Sequence, residues 1–191
     1  ADVNLVGGQD ELVFDGGSLA VDSVGNAVVQ APQFEAGLYP AVFKLSSSGR
    51  YEPACGSCAT QPSDLAQVYK ALTIGVRDYV TKNGFKGVVL GLSGGIDSAL
   101  TLAIAVDALG AHAVHAVMMP FEYTSQLSRD AAAEQAATLG VAYRSISIKS
   151  IYDQFVGALA SEFEGLAEDV TEQNLQARCR GVLLMAISNK K

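Results

Sequence analysis

The spacing of apolar positions changes near residue 64. Before it, short alternating runs prevail. Residues 11–17 and 18–22 read as strand segments, and Asp22, Ser23, Gly25 and Asn26 supply turn residues ahead of Ala27, Val28 and Val29. Alternation interrupted by a polar, glycine-bearing break is the pattern of a hairpin. Residues 46–63 hold Ser46, Ser47, Ser48, Gly49, Pro53, Gly56, Ser57 and Pro62, and read as a linker. From 64 the period becomes helical. Leu65, Val68, Leu72, Val76 and Tyr79 recur at helical intervals behind Asp64, a residue suited to capping, and Gly84 ends the run.

Strands and helices then alternate. Gly87 to Leu92 is a short apolar run suited to a buried strand, and a helix is expected over residues 97–109, with Leu100, Ala103 and Val106 on one side and Gly110 as its stop. A second strand follows at 113–119, a helix from Ser128 to Leu139, and a third strand at 143–148. Two more helices are expected, at about 150–163 and 171–188. This order predicts parallel βαβ units in an α/β, doubly wound parallel sheet. Such sheets take ligands beyond the carboxyl ends of their strands, where residues 91–98 fall. The β-rich residues 1–45 make a small sheet for an independent domain. They either pack on the α/β segment or form the tail of a larger domain.

Composition narrows the function. Of 191 residues 49% are hydrophobic and 17% charged, which is enough apolar material for a packed core. The net charge is -7, with no basic stripe, so a nucleic-acid partner is not expected. No apolar run reaches the roughly 18 residues that span a bilayer, and no basic-then-apolar leader opens the chain. With only Cys55, Cys58 and Cys179 present, a disulfide framework is not expected and a cytoplasmic setting is. Cys55 and Cys58 have metal-like spacing, but no second pair or nearby histidine completes four ligands, so they read as incidental thiols. His112 and His115, with no acid, base or metal partner in view, read as ordinary strand residues.

The chemistry is concentrated in Gly91-Leu92-Ser93-Gly94-Gly95-Ile96-Asp97-Ser98. Gly94 and Gly95 permit unusual backbone angles and close approach to an anion. The helix after them begins with free N–H groups and the positive end of its dipole, which together cradle phosphate. Ser93 and Ser98 add hydroxyl donors. A carboxylate at Asp97 repels phosphate directly, so its role is that of a Mg²⁺ ligand bridging to phosphate. The loop matches neither the Walker-type nor the dinucleotide pattern. It resembles the ATP-pyrophosphatase loop, which holds the β- and γ-phosphates of ATP while the α-phosphate is attacked. That resemblance implies a fold of the adenine nucleotide alpha hydrolase-like type.

A second segment narrows the family. Residues 171–181, Thr-Glu-Gln-Asn-Leu-Gln-Ala-Arg-Cys-Arg-Gly, resemble the Glu-Glu-Asn-x-Gln-Ala-Arg-x-Arg-Gly run of glutamine-dependent NAD synthetases. Gln173 stands where that family has a second Glu, and Cys179 where it has Ile. Residues 184–190, 119–125 and 90–100 are similar to the same family. Residues 6–18 resemble the end of its nitrilase-like glutaminase domain. On a helix, Asn174 and Arg178 share a face, while Leu175, Val182 and Ile187 can turn to the core. The resemblance implies that Asn174 and Arg178 contact deamido-NAD. Ser128 reads as a helix cap, Tyr123 and Thr124 as candidate lining of the nucleotide site, and Met118 and Met119 as core or adenine-pocket wall.

The family resemblance implies ATP-dependent amidation of deamido-NAD to NAD, with AMP and pyrophosphate released. ATP and Mg²⁺ are then required, ammonia comes from glutamine hydrolysed in an upstream domain, and a homo-oligomer is expected. No catalytic side chain is assigned, because ammonia is itself the nucleophile. The expected layout is a nitrilase-like tail at 1–45, a linker at 46–63 and the first part of the synthetase domain at 64–191. The glutaminase Cys, Lys and Glu are not in these residues, so the chain is expected to be a fragment. Two rivals share some of these features: another ATP-pyrophosphatase amidotransferase such as a GMP synthetase, and a non-catalytic assembly piece.

Overall fold

The computed structural model describes residues 1–191, with the side chain of Cys55 outside the described residues. The chain forms two compact units, Ala1–Gly84 and Phe85–Lys191.

The first unit contains three antiparallel hairpins among the described residues. They pair β1 (Val6–Gln9) with β2 (Leu12–Asp15), β3 (Leu19–Val21) with β4 (Ala27–Gln30), and β5 (Val42–Leu45) with β6 (Tyr51–Cys55). The β3–β4 hairpin is the one expected from the turn residues. Asp22 holds that turn: one carboxylate oxygen accepts from the N–H groups of Val24 and Asn26, each at 2.9 Å. The stretch read as a linker contains β6, because Ser46 to Arg50 close a turn that returns the chain along β5.

α1 (Asp64–Lys82) completes this unit and packs on β1 and β2. Its N-cap is Ser63, with Asp64 already in the first turn. The apolar stripe expected to be its inner face is outward, with Leu65, Val68, Leu72 and Tyr79 all exposed. The inner face carries Ile74, Gly75 and Asp78 instead. Asp78 is 9% exposed. Its carboxylate accepts from the Gly8 N–H at 2.8 Å and from the Arg77 guanidinium at 3.0 Å. Lys82 lies 3.3 Å from the same carboxylate and also donates to the Gly8 carbonyl. Gly7, at φ +136°, leaves no room for a side chain beside that carboxylate. This polar clasp, which no apolar period reveals, sets how the helix faces the hairpin.

The second unit is α/β. A parallel sheet of order β7-β8-β9 is built from β7 (Val88–Gly91), β8 (Val114–Met118) and β9 (Ala142–Ser145). Helices α2 (Ile96–Leu109) and α3 (Gln126–Leu139) connect the strands, with a 3-10 turn at Ala111–Ala113. α4 (Lys149–Ala158) and α5 (Val170–Lys190) come after the third strand. β8 is buried on both faces. Val114, Ala116 and Met118 pack with Leu102 and Ala105 of α2 and Ala132 and Ala136 of α3. Val117 and Met119 pack on the other side with Ile148 and Cys179. Helices on both faces of a parallel sheet are the doubly wound arrangement expected.

Several sequence expectations shift inside this frame. Leu100 is half exposed, and the inner face of α2 is Leu102, Ala105 and Ala108. β9 ends at Ser145, although the Ile146 N–H still bonds the Met118 carbonyl at 2.8 Å. α4 stops at Ala158, soon after Gly157, rather than near 163. Val182 is 54% exposed, and the core face of α5 is Cys179, Leu183, Leu184 and Ile187. His112 lies in the 3-10 turn and His115 in β8, so they do not share a strand.

Candidate nucleotide site

β7 delivers the loop. Leu92 is 1% exposed, and its N–H bonds the Val117 carbonyl at 2.9 Å, which holds the chain against β8 one residue past the strand. The chain then turns sharply. Gly94 has φ +81°, and a Cβ there would run into the backbone of Ser128. Gly95 is the N-cap of α2 and has no side chain to cap it. The first backbone bond of the helix runs from the Ala99 N–H to the Gly95 carbonyl, at 3.1 Å. The N–H groups of Ile96, Asp97 and Ser98 precede that bond, so the helix start presents donors and positive potential.

The two serines close the turn on itself. The Ser98 hydroxyl donates to the Gly95 carbonyl at 3.0 Å and accepts from the Ser93 N–H at 3.2 Å. Ser93 Oγ accepts from the Gly95 N–H at 3.2 Å and lies 3.0 Å from Ser98 Oγ. In this arrangement the hydroxyls shape the cradle, and the helix-start N–H groups are what an anion meets. Asp97 is exposed in the first turn of α2, and its backbone carbonyl accepts from Thr101 Oγ1 at 2.8 Å. No cluster of three metal-ligating side chains exists among the described residues. A single carboxylate fits Mg²⁺ that arrives with phosphate oxygens, the usual way this ion is held, and does not fit a self-contained metal cage.

α3 meets the loop with its N-terminus. Its cap is Ser125, whose side chain accepts from the Ser128 N–H at 3.1 Å. Ser128 is therefore the capped residue rather than the cap. Between them the strand ends enclose a cavity of about 270 Å³, lined by Gly91, Leu92, Ser93, Val117, Met118, Met119, Thr124 and Arg180. Thr124 is shaped for this wall by its hydroxyl, which accepts from the Phe121 N–H at 2.9 Å. Met118 and Met119 supply apolar wall as well as core. Arg180 enters from α5, its Nε donating to the Met119 carbonyl at 3.2 Å.

A second cavity of about 510 Å³ lies beyond β8 and among the starts of α4 and α5. Phe121, Tyr123, Tyr152, Lys149, Glu172 and Gln176 are among its lining. Phe121 and Tyr152 meet edge to face at 4.9 Å between ring centres. Burial, then the nearby carboxylates of Glu168, Glu172 and Asp153, push the Tyr152 hydroxyl above its usual range. Lys149 bridges Asp153 at 3.2 Å and Glu122 at 3.5 Å. α5 starts at this cavity with a capping box, in which the Asp169 carboxylate and the Glu172 side chain satisfy each other's backbone N–H groups.

The structure brings together Gly91, Leu92, Ser93 and Thr124 around the first cavity, and Tyr123 lines the second. Asn174 and Arg178 share an exposed face of α5 and line neither cavity. Arg180 is the site residue that sequence pattern alone does not single out. Its signal is present as the second arginine of the motif, but only packing shows that it points to a different place from Arg178.

The chain is similar in sequence and fold to known proteins. The family model for NAD synthase matches residues 68–191. The chain belongs to the NAD synthase family. It is 48% identical over 188 residues to the glutamine-dependent NAD(+) synthetase of Acinetobacter baylyi, covering 98% of this chain and 34% of that protein. The corresponding protein of Thermotoga maritima is 38% identical over 219 residues, with 98% of this chain and 38% of that protein covered. Among solved structures, the glutamine-dependent NAD+ synthetase of Acinetobacter baumannii in complex with ADP superposes with a TM-score of 0.92 at 50% identity, covering 99% of this chain and 35% of that one. The chain thus spans about a third of the length of these relatives. The NAD synthase match begins within α1, at residue 68, although α1 packs within the first unit, so the sequence family and the compact units divide the chain at different points. No helix among the described residues is long and apolar enough to cross a membrane.

Proposed function

We propose that this chain carries the ATP-cleaving half-site of a glutamine-dependent NAD synthetase. The observation that supports this most is the loop: Gly94 pressed on Ser128, the uncapped start of α2, and Asp97 beside it. Residues 1–45 are read as the end of a nitrilase-like glutaminase domain and 64–191 as the first part of the synthetase domain. In the reaction, the carboxylate oxygen of deamido-NAD attacks the α-phosphorus of ATP. The bond from that phosphorus to the bridging oxygen breaks, and pyrophosphate leaves with the electron pair. Ammonia, derived from glutamine, then attacks the acyl carbon. AMP departs, and the added nitrogen loses a proton to give the amide of NAD.

The residues of this chain act by binding and orienting. The N–H groups at the start of α2 stabilise charge growing on the departing pyrophosphate. Ser93 and Ser98 hold the turn in that shape, and Asp97 would hold Mg²⁺ against the phosphate oxygens. The ion would supply charge neutralisation of the leaving group. Asn174 and Arg178, on their exposed face, are assigned to deamido-NAD. A reducing compartment such as the cytoplasm fits the free thiols of Cys58 and Cys179.

The test is an ammonia-dependent assay of NAD and AMP formation on the full-length protein. We expect the two products in equal amounts. Asp97→Asn should lower kcat/KM by about 100-fold and raise the Mg²⁺ concentration needed. AMP formation that proceeds equally well without deamido-NAD, or an Asp97→Asn enzyme of normal activity, would overturn the assignment.

A further inference from the structure

We infer that Asp78 and Lys82 are positioning residues for ammonia transfer: their hold on the Gly8 peptide keeps the helix that opens the synthetase domain in one register against the end of the domain that releases ammonia. The inference rests on reading the chain as part of a glutamine-dependent NAD synthetase. Gly8 lies on β1, in the stretch read as the glutaminase tail, and Asp78 and Lys82 lie on α1, within the NAD synthase match. Both polar groups of Gly8 are held. Its N–H donates to Asp78 Oδ2 at 2.8 Å, and its carbonyl accepts from Lys82 Nζ. The two side chains are one helical turn apart, with Lys82 Nζ 3.3 Å from Asp78 Oδ2. Arg77 occupies the other carboxylate oxygen at 3.0 Å.

The backbones cross closely here. A Cβ on Gly8 would lie 3.2 Å from Asp78 Cβ and 3.4 Å from Gly75 Cα, and one on Gly75 would lie 3.3 Å from Val13 Cγ2. A slip of one residue along β1 would turn its other face to the helix and take the Gly8 N–H away from Asp78. Asp78 is the single charged residue among the described buried ones, and an uncompensated buried charge is strongly unfavourable. A buried ion pair adds little net stability over packed apolar side chains, and fixing register is its best-attested use. Ammonia gives a fixed register its purpose. Ammonia that escapes into water near neutral pH is protonated to ammonium and loses the lone pair that attacks the acyl carbon. Ammonia released by one domain and used by another therefore needs a steady junction, and a misplacement of about 1 Å is enough to cost catalysis. Ammonia taken directly from solution does not depend on that junction.

The test supplies the full-length protein with glutamine or with ammonium chloride and counts NAD and glutamate in the parent, Asp78→Asn, Lys82→Met and Lys82→Arg. Asp78→Asn and Lys82→Met should lower the NAD formed per glutamate released by about 3- to 10-fold and change ammonia-dependent NAD synthesis by less than about twofold. Lys82→Arg should recover most of the ratio, because it keeps a cation beside Asp78 and the Gly8 carbonyl. Lys82 is half exposed, so its variants report on the clasp even where Asp78→Asn fails to fold. A merely structural role predicts that the glutamine and ammonia routes fall together. That result, or an unchanged ratio in Lys82→Met, would overturn the inference. If the unaltered protein makes no NAD from ammonia, or releases no glutamate from glutamine, the synthetase or glutaminase reading falls and takes the inference with it.

Discussion

Gly94 shows how narrowly one residue can be specified. Its φ of +81° is a region that L side chains rarely adopt, and a Cβ would also meet the Ser128 backbone, which cannot yield as a flexible side chain would. Gly94→Ala should therefore destabilise the protein by about 2–4 kcal/mol and abolish the thermal shift produced by Mg-ATP. An alanine variant that melts and responds like the parent would show that α3 does not press on the loop. Cys179 is specified by burial. Burial pushes its thiol above the usual range, and the positive charge of neighbouring Arg180 only partly offsets this. A maleimide at neutral pH should label Cys58, which is exposed, well before Cys179, as peptide mapping would reveal. Rapid labelling of Cys179 in folded protein would mean that α5 is not seated on the sheet. The loop residues are readable in sequence because each residue type has a local reason to be there. Arg180 is not, because its role depends on which side of α5 the sheet occupies.

At the scale of elements, polar and apolar forces divide the work. The strands of the second unit can be read from apolar runs alone, and β8, buried on both faces, needs no alternation to be found. α1 misleads for the opposite reason. Its clearest apolar stripe is exposed, and the face that packs on β1 is organised by Asp78. Burial alone would raise the Asp78 carboxyl. The Gly8 N–H, Arg77 and Lys82 outweigh it, so the carboxyl sits below its ordinary value of 3.8. The native state therefore holds this proton less readily than the unfolded chain. The stability it contributes is complete above the unfolded value, and is lost as pH falls through the lower, native one. Thermal melts of the parent should weaken steeply below about pH 4. Asp78→Asn should be less stable at neutral pH by about 1–3 kcal/mol and show a shallower acid limb. Parallel acid limbs in the two proteins would show that Asp78 does not set the acid response.

The whole molecule is two compact units, each with its own buried residues: Ala20, Val29, Ala31, Ile74 and Val80 in the first, and the two layers of the sheet in the second. Separate cores predict separate responses to ligand. In hydrogen exchange, Mg-ATP should slow amides at residues 91–98 and 117–124 while leaving 6–15 and 74–82 unchanged. Equal protection of both sets would show that the units behave as one. The sequence by itself determined the α/β order of the second unit, the glycine-rich turn between β7 and α2, and the family. These rest on local rules: side-chain period, glycine at a turn, and donors at a helix start. Tertiary structure alone decided that α1 packs with the hairpins, that Ser125 rather than Ser128 caps α3, and that Arg180 joins the loop cavity while Arg178 does not. The reason is physical. Each of these depends on which face of an element meets a neighbour, and that is set by contacts between residues far apart in the chain, such as Gly8 with Asp78 and Met119 with Arg180.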